Sequence, residues 1–446
     1  MQVAALPTSN RMPARPIEAA HVAAGPDRTD SHAAACSLSL IATRADFEAL
    51  EPQWNALFQR AGRPHQFFQT FNWLWHWADH YLDSDTEPAI VAGWRRGRLV
   101  LVWPTIATRA LGVRTIAWMG EPVSPYGDVL VEEGPGTLDL LRQGWARLTS
   151  LDADVISLRG VRGDAAVAPL LAEARARSTA SFAAPFLDLA SADDFSTYQK
   201  RYPPKARSSR RRHMRRLMEV GPVRFEQHRH GSAARDLIGR ALTLKRAWLK
   251  QRGIISQTLH DPRFDGFFGE IVLGQTRPVG ARVSAIRCRE NPIAIEISFA
   301  CKDRVFGHVL AHDMAFEKQG VGGILADYTI GSAHEHGYAT FDLLPPANQY
   351  KVDLADDTVA VDDWAVPLTR KGDLYARLWL RRGRHWLKST FRAMPLRLRR
   401  MLLTVYRMAK SSSHSHCSSS DKSLFCLWTS HVPLRGSGAG EKQTER

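Results

Sequence analysis

Cysteine is scarce in this 446-residue chain, and the five that are present are widely spaced. No Cys-x-x-Cys pair occurs, which argues against a structural zinc site and a disulfide framework. No apolar run approaches the roughly 18–20 residues needed to span a bilayer. Residues 1–35 also lack the apolar stretch of a secretory signal. These absences predict a cytoplasmic protein in which residues 1–37 form a disordered leader.

Positive charge is plentiful but uneven. The formal net charge is +15, while residues 200–216 carry nine Lys and Arg without an acid and residues 370–410 carry thirteen with one acid. Because these two segments together exceed the net charge of the whole chain, the rest is slightly acidic. Basicity therefore belongs to two local surfaces, each suited to an anionic partner such as nucleic acid, phosphate groups or an acidic polymer.

A glycine-rich turn separates a predicted buried strand over residues 305–312 from a predicted helix that ends at Gly337. Free backbone N–H groups and the positive end of the helix dipole suit a phosphate or pyrophosphate. The turn lacks both the Walker Gly-Lys-Ser/Thr and the Rossmann Gly-x-Gly-x-x-Gly patterns. A tight turn without a ligand is the alternative. The predicted cofactor-binding residues are Gln319, Gly320, Val321, Gly322, Gly323 and Ile324, with the amides of residues 321–324 as the anchor.

The predicted elements follow a similar order in both halves. In the second half, a basic helix opens at Pro204, two further helices follow, and strands at 281–288, 293–301 and 305–312 lead to the glycine turn, its helix and a strand at 339–344. The first half has helices, a hairpin at 89–103 and further strands, without an obvious glycine turn. This is the order of an acyl-CoA N-acyltransferase (GNAT) domain. We predict an α/β (α+β) fold of two tandem GNAT-like domains, at 38–190 and 191–368, the first degenerate.

Several short motifs occur in a characteristic order between Leu38 and Pro367. They are Phe71-Asn-Trp-Leu-Trp-His-Trp77, Tyr126-Gly127-Asp128, the arginine-rich helix after Pro204, His312-Asp313, Gly322, Phe341-Asp342 and Tyr350-Lys351. In these motifs the chain resembles the CelD/BcsL-type acetyltransferases of cellulose and exopolysaccharide synthesis, distant relatives of the Fem peptidyltransferases. It departs from them where His312 replaces Tyr, where Gly320-Val321-Gly322 replaces Ser-Pro-Gly, and where residues 345–349 replace Arg-Gly-Asp/Glu.

The resemblance implies a CoA-dependent acyltransferase. Its co-substrate would be acetyl-CoA or another acyl-CoA, and its acceptor an amine or hydroxyl of an envelope or exopolysaccharide precursor. Two other functions stay open. A Fem-like enzyme would use aminoacyl-tRNA, and a non-catalytic GNAT scaffold would bind an anionic polymer or a membrane. Nucleic acid other than tRNA is not an expected partner.

Acyl transfer needs a general base and a proton donor. Glu296 is the predicted base, because burial in its apolar strand would raise its pKa; an outward-facing carboxylate is the alternative. His308 and His312 share a strand face and are further catalytic candidates. A structural role for both histidines is the alternative. Asp313 matches the family Asp and would position the acceptor. Tyr350 is the predicted acid at the departing thiolate, or else a packed side chain.

Substrate contacts are predicted on both halves of the chain. Arginines of the basic helix suit an anion on CoA, on the acceptor or on RNA, or else form a solvated face. His334-Glu335-His336 does not suit a metal, because positions i and i+2 diverge on a helix, so no metal is predicted. The predicted substrate-binding residues are Tyr126, Asp128, Arg207, Arg211 and Lys351.

The C-terminal part combines basic and apolar residues. Residues 369–410 mix Leu, Trp and Phe with many Arg and Lys, as in an amphipathic helix at an anionic membrane surface, here the inner face of the membrane. A helix docked on the catalytic domain is the alternative. Residues 411–446 are Ser-rich and predicted to be a disordered tail.

Overall fold

The structure is a computed structural model that describes residues 36–110, 112–174, 176–254, 256–273, 280–395, 398–399 and 401. The predicted tail, nearly all of the predicted leader and residues 402–410 lie outside the described residues. No helix within these ranges is long and apolar enough to cross a membrane.

Helices make up much of the described chain. The α-helices are α1 (Arg44–Ala49), α2 (Glu51–Ala61), α3 (Phe71–Tyr81), α4 (Thr137–Thr149), α5 (Ala168–Glu173), α6 (Phe195–Gln199), α7 (Pro204–Val220), α8 (Ser232–Gln251), α9 (Gln257–His260), α10 (Pro262–Glu270), α11 (Val321–Glu335), α12 (Gln349–Leu354), α13 (Arg370–Tyr375) and α14 (Arg384–Ala393). Short 3₁₀ helices lie at Phe67–Gln69, Leu189–Ser191 and Met314–Gln319, and a π-helical segment at Ala376–Gly383 joins α13 to α14.

The strands run through both halves. They are β1 (Ser37–Ile41), β2 (Thr86–Pro88), β3 (Ile90–Arg95), β4 (Arg98–Trp103), β5 (Thr105–Ala110), β6 (Val113–Trp118), β7 (Leu130–Val131), β8 (Val155–Arg162), β9 (Arg177–Asp188), β10 (Val223–His228), β11 (Gly280–Cys288), β12 (Asn291–Cys301), β13 (Arg304–His312), β14 (Thr340–Asp342) and β15 (Asp357–Pro367).

Local sequence signals account for several element ends. Asp261 caps α10 by accepting a hydrogen bond from the Arg263 amide at 3.0 Å, with Pro262 at the first helical position. Leu50 separates α1 from α2. Asp128 lies just before the short strand β7, and its carboxylate accepts hydrogen bonds from the loop amides of Ala166 and Val167.

Two sheets organise the chain. A smaller sheet has the order β1-β3-β4-β7, and an eleven-stranded sheet has the order β10-β11-β12-β13-β14-β9-β15-β8-β6-β5-β2. The pairs β13·β14 and β6·β8 are parallel, and the other described pairs are antiparallel. Helices pack on the larger sheet, so the predicted α/β fold class is confirmed.

The larger sheet crosses the predicted boundary between residues 190 and 191. β15 lies between β8 and β9, where Val361 is the register partner of both Arg162 and Phe182. Neither β9 nor β15 is predicted from the sequence. Their pairing is between residues far apart in the chain, which no local pattern reveals.

An aromatic core also joins the two halves. Trp73 of α3 meets Phe267 of α10 with ring centroids 4.8 Å apart, and Phe67 stacks on Phe299 of β12 at 5.1 Å. At the surface end of this contact, Nε2 of His80 lies 2.9 Å from a carboxylate oxygen of Glu270. The helices of the first half therefore cover one face of β12 and β13.

Candidate functional site

A gap opens between the parallel strands β13 and β14. They pair only where Arg304, Val305 and Phe306 face residues 340–342. Beyond Phe306 no described strand pairs with that edge of β13, so strand pairing does not prevent an extended ligand from approaching it. A register shift against Ile297 and Ser298 adds a bulge to β13 at this point and bends the strand.

The glycine turn lies at the end of β13. The 3₁₀ helix Met314–Gln319 intervenes between strand and turn, which the sequence analysis did not predict. Gly320 then adopts φ +62°, a left-handed conformation that favours glycine, and α11 starts at the next residue. Gly322, in the first turn of α11, lies beside Leu310 and His312 of β13. The positive end of the α11 dipole is therefore next to the unpaired edge of β13.

The free amides at this turn are fewer than predicted. The N–H groups of Gly323 and Ile324 already donate to the Gly320 carbonyl, at 3.0 and 3.2 Å. This corrects the expectation that all four amides of residues 321–324 bind an anion. Among the described backbone bonds, Val321 and Gly322 have no acceptor and are left to bind one.

The glycine turn is more crowded on one side than on the other. A Cβ placed on Gly320 would lie 2.6 Å from Nδ1 of His213, so α7 closes that side. A Cβ on Gly322 would lie 3.5 Å from Nδ1 of His312, and a Cβ on Gly323 would meet nothing within 4 Å. The turn is thus closed toward α7 and open beside Gly323. The amide oxygen Oε1 of Gln319 is buried nearby without a described partner.

Glu296 is buried in the middle of β12, at 4% exposure. Thr329 of α11 donates a hydrogen bond from Oγ1 to Oε2 of Glu296 at 2.8 Å. Burial raises the pKa of Glu296 to about 7, against the opposing effects of Thr329, Arg282 and Lys351. The inward orientation is therefore the one observed, and the carboxyl titrates near neutral pH.

Gly307 makes room for this carboxyl. A Cβ on Gly307 would lie 3.0 Å from Oε1 of Glu296 and 3.0 Å from the ring of Phe341 in β14. Both contacts are closer than ordinary van der Waals distances. Glycine at position 307 therefore lets Glu296 approach the point where β13 and β14 separate.

Two side chains of α12 complete this region. Lys351 donates from Nζ to the Leu344 carbonyl at 2.9 Å, and burial, followed by the charge of Lys245, lowers its pKa to about 7. Tyr350 is 48% exposed as a whole, yet desolvation of its hydroxyl and then the charge of Glu296 raise its pKa. The influence of Glu296 on this pKa places Tyr350 in the same part of the structure as the carboxyl.

Lys245 is a residue of this site that was not predicted from the sequence. Its Nζ donates to the Leu310 carbonyl of β13 at 2.8 Å, and burial lowers its pKa to about 8. Among the described residues no carboxylate forms an ion pair with it. A signal was present, because Ile238, Leu242, Lys245 and Leu249 share the helical spacing of the buried face of α8.

A family comparison identifies the domain that contains these residues. Residues 204–352 match the family described as an acetyltransferase (GNAT) domain. These residues form a GNAT-type acetyltransferase domain. The matched range begins at α7 and ends within α12, so it includes the gap, the glycine turn, Glu296 and Lys351. The predicted enzyme class, a GNAT-type acyltransferase, is confirmed.

Solved structures resemble the chain well beyond the GNAT domain. FemX has 10% sequence identity and a TM-score of 0.50, and the likeness covers 74% of this chain and 98% of FemX. The C-terminal domain of a protein named as a lysylphosphatidylglycerol synthetase from Agrobacterium fabrum has 11% identity and a TM-score of 0.47, over 74% and 95% of the two chains. A tandem GNAT protein from the clavulanic acid biosynthesis pathway has 12% identity and a TM-score of 0.41, over 74% and 99%. No curated protein matches by sequence. The FemX likeness shows a shared fold.

The two histidines of β13 have different surroundings in the GNAT domain. His308 lies among aromatic rings, 5.1 Å from Phe268 between centroids, and its Nε2 bonds to the Val123 carbonyl at 3.0 Å. Burial lowers the pKa of His308 to about 4, so it is neutral at physiological pH. His312 lies beside Gly322, and burial followed by the charge of Lys245 lowers its pKa. These positions favour a packing role for His308 and place His312 beside the glycine turn.

Asp313 directly follows β13 and caps the 3₁₀ helix Met314–Gln319. Its Oδ1 accepts from the Ala315 amide at 3.0 Å, and its Oδ2 lies 3.5 Å from Arg240 of α8. These contacts explain the residue by local structure, as an N-cap and an ion-pair partner.

Tyr126 and Asp128 lie outside the GNAT domain and are buried. The Tyr126 hydroxyl donates to Oδ1 of Asp342 at 2.9 Å, which ties the first half of the chain to the base of the gap. Asp128 accepts from the Gln66 amide group at 2.7 Å and from backbone amides of the loop before α5. Since each is about 2% exposed, the structure assigns them to internal support instead of the predicted substrate contact.

The basic helix α7 packs beside the glycine turn. Arg210 pairs with Asp327 of α11 at 2.8 Å, which fixes the helix against the GNAT core. Arg207 is partly buried, with Nε lacking a described partner, and Arg211 is exposed. Neither Arg207 nor Arg211 has a described contact with Glu296, and His213 is the α7 residue that lies against the turn.

Proposed function

We propose that this chain is a CoA-dependent acyltransferase of the CelD/BcsL type, acting on an amine or hydroxyl of an envelope or exopolysaccharide precursor. The observation that carries the proposal is the gap between β13 and β14, with the glycine turn at one end and the buried Glu296 beside it. An acyl-CoA is an extended thioester with a pyrophosphate, and this arrangement offers a strand edge for the first and two helix amides for the second.

Each reacting group has a residue suited to it. The acceptor attacks the thioester carbonyl and loses its proton to the Glu296 carboxylate, which is available near pH 7. The carbon–sulfur bond breaks, and the CoA thiolate takes the proton of the Tyr350 hydroxyl, which stays protonated because its pKa is raised. The acylated acceptor and the CoA thiol are released, and the cycle closes when Glu296 gives its proton to solvent and the Tyr350 phenolate takes one proton from solvent.

The acceptor is proposed to carry a negative charge. The ammonium groups of Lys245 and Lys351 are close enough for the first to lower the pKa of the second, and each bonds to a backbone carbonyl instead of a carboxylate. Holding two cations together in a desolvated place is costly unless an anion joins them. A carboxylate or phosphate on the acceptor would supply that anion.

The experiment is a thermal-shift panel of acetyl-CoA, longer acyl-CoAs and aminoacyl-tRNA, followed by transfer assays on the donor that binds. An acyl-CoA that stabilises the protein and acylates an anionic acceptor supports the proposal. Lys245→Met should raise KM for an anionic acceptor at least tenfold while leaving KM for its uncharged analogue unchanged. No stabilisation by any acyl-CoA would contradict the proposed donor.

A Fem-like transfer from aminoacyl-tRNA is the second candidate. It is favoured by α7, which contacts the glycine turn through His213 and on which Arg211 is exposed and the Arg207 Nε has no described partner. Transfer that requires aminoacyl-tRNA and is abolished by ribonuclease would support it, and full activity with acyl-CoA after ribonuclease treatment would reject it.

A further inference from the structure

The helices that follow the GNAT domain are anchored through polar contacts on one side. Thr369 donates from Oγ1 to Asp154 at 2.8 Å at the start of α13. Further along, Arg384 is 5% exposed and pairs with the buried Asp363 of β15 at 2.9 Å. The segment is thus a docked part of the fold, which was one of the two alternatives from the sequence.

Apolar contacts hold the same side of this segment against the rest of the protein. Ala376 and Leu380 are buried in a small cluster with Val113, Val155 and Ala365. The two positions are four residues apart, so one face of the π-helical segment rests on the ends of the neighbouring strands β6, β8 and β15. The opposite face must therefore point away from the protein.

That opposite face exposes large apolar side chains. Leu374 is 59% exposed, Leu378 is 56% exposed and Trp386 is 68% exposed. Burying such side chains is favourable by about 25 cal/mol per Å² of apolar area, so leaving three of them in water on one short segment is unfavourable. We call this surface, residues 374–386, the Trp386 face.

Arginines surround these apolar side chains. Arg377, Arg381 and Arg382 are exposed on the same segment. Arg377 pairs with Asp373 at 2.9 Å, but among the described residues no carboxylate pairs with Arg381 or Arg382. Cations around an apolar centre that includes tryptophan are the composition of helices that lie in the headgroup region of a membrane.

We propose that the Trp386 face binds the surface of an anionic phospholipid bilayer. The leucines and the indole would enter the boundary between headgroups and acyl chains, and Arg381 and Arg382 would contact lipid phosphates. A nucleic acid would use the arginines but leave the apolar centre unexplained. Docking through Arg384 holds the face in a fixed orientation, so binding requires no folding of the segment.

The test is co-sedimentation of the full chain with vesicles of pure phosphatidylcholine and of phosphatidylcholine with 30% phosphatidylglycerol, each at low and at physiological salt. Three variants are compared with the parent chain. Trp386→Ser removes the apolar anchor, R381E/R382E reverses the charge, and R215E/R216E on α7 is a matched reversal of two exposed arginines outside this face.

We expect the parent chain and R215E/R216E to bind the anionic vesicles at low salt, with weaker binding at physiological salt. Trp386→Ser and R381E/R382E should each reduce the bound fraction at least fivefold, while circular dichroism stays unchanged. Absence of binding to anionic vesicles, or an equal loss in R215E/R216E, would overturn the proposal. Concentration-dependent dimers that Trp386→Ser abolishes, without lipid binding, would assign the face to a second copy of the chain instead.

Discussion

Thr329 Oγ1 donates a 2.8 Å hydrogen bond to Oε2 of Glu296 and so joins α11 to the middle of β12. The glycine turn that starts α11 is placed by the same helix. The proposed general base and the proposed pyrophosphate anchor are therefore held by one rigid element, at opposite ends of the open edge of β13. Rigid support of this kind is what precise placement of reacting groups requires.

Glu296→Gln keeps the shape of the side chain and removes the proton acceptor. We expect kcat to fall by about 10²–10⁴-fold with little change in acyl-CoA affinity. In the parent enzyme kcat should rise as pH increases through about 7, because the carboxylate form appears there. Steady-state kinetics across pH checks both. The control is Glu290→Gln, at an exposed position, and near-normal turnover of Glu296→Gln would remove Glu296 from the mechanism.

Thr329→Val removes the hydrogen bond that lowers the pKa of Glu296. The base should then titrate higher, and the rising limb of the pH–rate profile should move up by about one pH unit. Thr329→Ser retains the hydroxyl and should restore the original profile. A profile of Thr329→Val that coincides with that of the parent enzyme would show that this bond does not tune the base.

Gly322→Asp places a carboxylate at the free amides of the turn. Acetyl-CoA at about 100 times its Kd should stabilise the parent protein by about 2.7 kcal/mol, and the variant should lose this shift because like charges repel. Differential scanning fluorimetry measures the effect. Gly239→Asp on α8, where a Cβ meets nothing within 4 Å, is the matched control. An undiminished shift in Gly322→Asp would place the CoA phosphates elsewhere.

Lys351→Met replaces a desolvated ammonium by an apolar chain of similar length. The pKa of Lys351 is lowered to about 7 in the folded protein, against about 10.4 in an unfolded chain, so its burial costs stability most below pH 7 and the cost fades as pH rises toward 10. We expect Tm of the variant to exceed that of the parent by several degrees at pH 6, with the difference shrinking at pH 9. Calorimetry at both pH values tests this, with Lys250→Met as the exposed control. An unchanged or lower Tm at pH 6 would contradict it.

Arg384→Ala breaks the buried ion pair with Asp363. Asp363 keeps Arg159 at 3.7 Å and the Gly160 amide at 3.0 Å, so the loss is that of one hydrogen bond to a charged group, and we expect the free energy of unfolding to fall by about 1.5–3 kcal/mol. Arg382→Ala, at an exposed position of the same segment, should change it by less than about 0.5 kcal/mol. Urea unfolding of both variants gives the comparison, and equal small effects would mean that docking at Arg384 adds nothing to stability.

Local patterns predicted much of the candidate site. The glycine turn, the basic helix α7 and the position of Glu296 in an apolar strand are all visible within windows of about ten residues. The inward orientation of Glu296 was not visible, because strand faces are assigned by packing on both sides. Thr329 and Lys245 were missed since each acts through a partner on another element, 33 residues away for Glu296 and 65 residues away for Leu310.

The sequence by itself determined the helix caps, the left-handed turn at Gly320 and the segregation of positive charge, because these depend on neighbouring residues alone. Tertiary structure decided which amides of the turn stay free, which lysines become desolvated, and that β15 lies between β8 and β9. It also decided that Tyr126 supports Asp342 from within instead of meeting a substrate. The physical reason is that burial and long-range pairing set these properties, and both exist only once distant parts of the chain have come together.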